Sequence, residues 1–97
     1  MAQVILWENS DFTGKSLTLE SDVADLTQFS FNDILTSVQV NSGTWTLYSN
    51  ANFGGANVTV SLFGGPESNG NYPNSLSIGG RNDYFSSIQL NDERPEE

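Results

Sequence analysis

One spacing occurs twice in this chain. Trp7-Glu-Asn-Ser-Asp-Phe12-Thr-Gly14 and Tyr48-Ser-Asn-Ala-Asn-Phe53-Gly-Gly55 each set a Phe five residues after an aromatic, with a Gly two beyond it. Each copy leads to a matching hexapeptide, Asn32-Asp33-Ile34-Leu35-Thr36-Ser37 and Asn82-Asp83-Tyr84-Phe85-Ser86-Ser87. The offset is constant through the aromatic segments, then grows by nine residues before the second Asn-Asp pair. The excess falls in 64–75, whose Gly, Pro, Asn and Ser content reads as a longer surface loop. A duplication of this kind predicts two similar units that pack on one another.

Period-two apolar runs fill each unit: Val4–Trp7, Leu17–Leu19, Val38–Val40, Trp45–Tyr48, Val58–Leu62 and Ile88–Leu90. Clusters of Gly, Asn and Ser separate them. The pattern predicts an all-β domain of about eight short strands in two packed sheets. The exception is Ser21–Leu26, where Ser21 is placed to cap a short helical turn with Asp25 reaching back. In the aromatic segments, the Gly supplies a positive φ for a folded-over hairpin and the two rings cover the sheet.

A chain of 97 residues has room for one small domain, able to bury only roughly 60–65% of its unfolded surface. The apolar fraction still supports a core despite a net charge of −9. Lys15, Arg81 and Arg94 are the basic residues, which disfavours nucleic acid and anionic membrane surfaces as partners. No apolar stretch has the length of a membrane span, and Met1–Trp7 lacks the basic n-region of a signal peptide. A Ser-, Asn- and Thr-rich, Lys-poor composition points weakly to an extracytoplasmic location. Cysteine and histidine are absent, so thiolate and imidazole metal sites and Ser-His or Cys-His nucleophiles cannot be built. A glycosidase-type carboxylate pair remains formally available, but a domain this small offers little cleft, and no enzyme is expected.

Each hexapeptide loop offers a carboxylate, an amide oxygen, a hydroxyl and backbone carbonyls. A single copy would serve as an Asx turn into a strand. Two copies at matching places suit a hard cation instead, and calcium is the first candidate because it takes six to eight such oxygens.

The pairing of (Tyr/Trp)-x4-Phe-x-Gly with (Asn/Asp)-(Asn/Asp)-x-x-(Ser/Thr)-Ser, present twice across Val4–Leu90, resembles the βγ-crystallin family, in particular its calcium-binding microbial members. The link 36–48 is also similar to that family. The resemblance implies two four-stranded Greek keys, 3–41 and 42–90, in one sandwich spanning 1–90, with 91–97 as an acidic tail. It implies two Ca2+ ions shared between adjacent loops. Thr36 and Ser86 would give hydroxyls, Asp33 and Asp83 carboxylates, and Ile34, Tyr84, Glu8 and Ser49 backbone carbonyls. Asn32 and Asn82 would shape the loops, and Ser37 and Ser87 would tie down the folded hairpins.

With one or two carboxylates per site, dissociation constants of roughly 10⁻⁶ to 10⁻⁴ M are expected. The resulting reading is a monomeric calcium-binding domain with a structural or stress-related role. Its alternative is a calcium-dependent lectin or cell-surface adhesion module, with Tyr72 and Tyr84 against a surface glycan.

Overall fold

The computed structural model describes residues 2–29, 31, 35–78 and 85–92. Seven strands form among them: β1 Gln3–Asn9, β2 Thr13–Leu19, β3 Ser37–Ser42, β4 Thr44–Asn50, β5 Gly54–Ser61, β6 Asn71–Tyr72 and β7 Ser87–Asp92. The six apolar runs lie on β1, β2, β3, β4, β5 and β7, the fifth extending one residue past β5 to Leu62. Alternation works as expected: in β1, Val4 and Leu6 are buried while Ile5 and Trp7 are half-buried on the other face.

The strands make two antiparallel sheets, β2-β1-β3-β6 and β5-β4-β7. Their facing side chains, Val4, Leu6, Val38 and Val40 from one and Trp45, Leu47, Val60 and Ile88 from the other, share one apolar core. The all-β sandwich is the architecture the sequence predicts. Burying the twelve largest core side chains, each below 2% exposed, at about 1.5–3 kcal/mol apiece supplies its main stabilisation.

The sheets do not follow the repeat boundary. The first takes its fourth strand, β6, from the second repeat, through Val38↔Tyr72 and Gln39↔Asn71. The second receives the first repeat's Val23 as an isolated bridge to Ile88, with both backbone bonds made (2.9 and 3.0 Å). Each repeat thus lends one element to the other's sheet.

Two differences from the sequence reading have local causes. Val23 lies in that bridge, so the helical turn expected over Ser21–Leu26 starts later, as a 3-10 turn at Leu26–Phe29. Its cap is Asp25, whose Oδ1 accepts from the Thr27 hydroxyl (2.6 Å) and N–H (3.0 Å). A matching 3-10 turn, Ser75–Ile78, closes the loop of the second repeat. At the C-terminal end β7 pairs through Thr44↔Asp92, so Asn91 and Asp92 belong to the sheet rather than to the expected tail. Residues 93–97 lie outside the described residues.

Candidate metal centre

The two aromatic hairpins are built alike, residue for residue. Asp11 and Phe12 have φ of 59°, and Asn52 and Phe53 have φ of 60°; the glycines Gly14 and Gly55 follow at 81° and 82°. Consecutive left-handed residues fold the tip over. Asp and Asn tolerate that region through their short polar side chains, but a Phe there costs about 1–2 kcal/mol.

The hexapeptide serines offset this cost. Ser37 Oγ donates to the Asn9 carbonyl (2.6 Å) and accepts from the Phe12 N–H (3.2 Å). Ser87 Oγ does the same with the Asn50 carbonyl (2.6 Å) and the Phe53 N–H (3.1 Å). Both serines are fully buried. Their expected role as hairpin ties is what the structure shows.

The residue after each hairpin aromatic also has a duplicated role. Glu8 Oε1 accepts from the Lys15 N–H (3.2 Å), and Ser49 Oγ accepts from the Ala56 N–H (3.0 Å). A carboxylate and a hydroxyl serve equally here because only one acceptor is needed. These side chains hold the start of β2 and β5.

The last residue before each tie serine is anchored beside them. Thr36 donates its N–H to the Trp7 carbonyl (2.9 Å), and Ser86 donates to the Tyr48 carbonyl (2.8 Å). Glu8 and Thr36 are therefore neighbours in the first repeat, as Ser49 and Ser86 are in the second. The repeats are linked as well: the Ser86 carbonyl accepts from the Leu26 N–H (2.8 Å), and the Leu26 carbonyl accepts from the Phe31 N–H (3.0 Å). Phe31, fully buried, directly precedes the first hexapeptide in the sequence. Asn32, Asp33, Ile34, Asn82, Asp83 and Tyr84, expected as ligands or loop-shaping residues, lie outside the described residues. Among the described residues no three acidic side chains converge. What the described part shows is that backbone bonds hold Thr36 beside the Trp7–Glu8 link and Ser86 beside the Tyr48–Ser49 link.

The family model for beta/gamma crystallin matches residues 3–90. The chain belongs to the βγ-crystallin family. A beta/gamma-crystallin of Ciona intestinalis is 39% identical over 89 residues, covering 92% of this chain and 98% of that protein. A solved βγ-crystallin from Ciona intestinalis superposes with a TM-score of 0.81 at 38% identity, covering 92% and 99% of the two chains. An archaeal βγ-crystallin structure gives 0.79 at 31% identity, covering 93% and 98%.

Within this βγ-crystallin domain, one sequence expectation is overturned. Tyr72, offered as an exposed aromatic for glycan contact, is only 5% exposed. Its ring is part of the core because β6 joins the first sheet, and its hydroxyl accepts from the Ser61 N–H (3.0 Å). The sequence reading also missed the cross-repeat function of the left-handed residues. Asp11 donates its N–H to the Pro73 carbonyl (2.7 Å), and Asn52 donates to Ala24 (2.6 Å). Each hairpin tip is thereby bonded to the segment lent by the other repeat. The local signal was the Asp/Asn before each Phe, a residue type that favours this backbone region.

Proposed function

We propose that this βγ-crystallin domain binds two Ca2+ ions at its paired hexapeptide loops and acts as a non-catalytic structural or stress-related module, as a monomer. The observation that carries the reading is the tether from Ser86 through Leu26 to Phe31, which connects the end of the second loop to the start of the first. Loops joined in this way are suited to sharing ions. The matched neighbours Glu8/Thr36 and Ser49/Ser86 support two similar sites rather than one.

Thr36 and Ser86 would hold the ions through hydroxyls, Asp33 and Asp83 through carboxylates, and Ile34 and Tyr84 through carbonyls. Asn32 and Asn82 would shape the turns. Bound calcium would supply charge neutralisation and cross-linking of the two repeats. Few carboxylates per site give affinities of roughly 10⁻⁶ to 10⁻⁴ M.

Calcium titration calorimetry tests this on wild type, Asp33→Ala and Asp83→Ala. Two binding events are expected for the wild type and one for each variant. No binding heat in the wild type, with an unchanged melting temperature at millimolar calcium, would reduce the hexapeptides to turns.

A further inference from the structure

The nine-residue excess of the second repeat builds a feature the first repeat lacks. The loop 62–70 is tightly closed: the Gly64 N–H donates to Ser61 (3.1 Å), Gly70 to Gly64 (2.9 Å) and Val40 to Gly70 (2.7 Å). A side chain at Gly64 would collide with the Tyr72 hydroxyl, and one at Gly65 with the Asn71 carbonyl. This is a rigid loop rather than slack. Together with the first hairpin it walls a recess of about 260 Å³.

Phe12, Pro66 and Pro73 form the apolar part of that recess. Asp11, Glu67, Asn69 and Asn71 form the polar part. Both walls are fixed before any ligand arrives, since the Asp11 N–H bonds Pro73 and the Phe12 N–H bonds Ser37. Such prior ordering lowers the entropic cost of binding. The volume lies under the roughly 300–1,000 Å³ that houses drug-sized molecules, so it suits one small ring.

We propose that this recess is a binding site for a neutral monosaccharide unit, independent of calcium. A sugar ring has an apolar face for Phe12 and the prolines. Its hydroxyls both donate and accept, and so match a mixture of carboxylates and amides. Carboxylates alone would suit an ammonium or guanidinium group equally, but such a cation leaves amide donors unmatched. With Asn69 Oδ1 already accepting from the Asn71 N–H (3.1 Å), the Asn69 amide is left as a donor. Asp11 and Glu67 repel anionic sugars.

The test is an NMR titration of the backbone amides with methyl glycosides of glucose, galactose, mannose and N-acetylglucosamine, run in EDTA and again in calcium. At least one glycoside is expected to shift the amides of Phe12, Asn69 and Asn71 equally in both buffers. Glu67→Ala should weaken that binding by about tenfold, the loss of a charged hydrogen-bond acceptor, while its melting temperature stays at the wild-type value. Asn69→Ala should weaken it too. Silence with all four glycosides would overturn the proposal, as would shifts elsewhere, undiminished binding by Glu67→Ala, or preference for arginine amide over every sugar. Shifts appearing only in calcium would assign sugar binding to the metal loops instead. Loss of calcium binding by itself leaves the expected sugar titration unaltered, so the two proposals fail separately.

Discussion

Ser87 and Gly55 show how much of the fold rests on single atoms. Ser87 Oγ satisfies two backbone groups of the second hairpin from a fully buried position. Ser87→Ala is expected to cost about 1–3 kcal/mol, since both groups lose their partner and the left-handed Phe53 loses its restraint. In a domain this size that lowers the melting temperature by about 4–8 °C per kcal/mol, readable by calorimetry. The two glycines are not equivalent. A Cβ at Gly14 meets the flexible ends of Asn9 (2.6 Å) and Glu8 (3.0 Å), whereas one at Gly55 runs into the short Ser49 hydroxyl. Both Gly→Ala changes carry the left-handed penalty of about 1–2 kcal/mol. Gly55→Ala should cost about 1 kcal/mol more, because Ser49 must release Ala56. A Gly14→Ala variant that is the less stable of the two would refute this account.

At the scale of elements, the 3-10 turn Leu26–Phe29 depends on its Asp25 cap and helps to anchor the loop end at Ser86. The Thr27 hydroxyl, and then its N–H, hold the Asp25 carboxyl below its ordinary 3.8. A depressed carboxyl stabilises the folded state fully above that ordinary value, and the contribution fades as pH falls through the folded one. Asp25→Ala should therefore melt below wild type near neutral pH. The gap should close on acidification well below 3.8. A gap unchanged in acid would mean that the carboxylate is not the stabilising species. The lent elements follow another logic: β6 and Val23 are too short to stand alone, and each persists because the other repeat's strand completes its bonds.

For the whole molecule, charge opposes compaction, with only three basic residues in a chain of net charge −9. Calcium at 100 times its dissociation constant would add about 2.7 kcal/mol per independent site. That corresponds to a rise of roughly 10–20 °C per site. Sodium chloride alone should give a smaller rise, since it screens charge without cross-linking the loops. Melting curves in EDTA, calcium and matched ionic strength separate these effects. Equal rises in calcium and in matched salt would leave only screening.

The duplication and the strand runs were legible in the sequence because each is set by spacing and local alternation, whereas the tie role of Ser37 and Ser87 was implied by the resemblance to the βγ-crystallins. The oxygen-rich character of the loops was legible in the residues themselves. Other features were not. Tyr72 looked exposed inside a polar loop, yet the two-residue β6 carries it into the core. The sequence pattern assigned positive φ to the glycines alone, yet Asp11 and Asn52 are left-handed too, and their N–H groups bond across the repeat boundary. Which repeat completes which sheet, and the recess beside Phe12, depend on bonds between distant residues. Local preference says whether a segment is extended; only the assembled chain decides which unpaired backbone groups it meets.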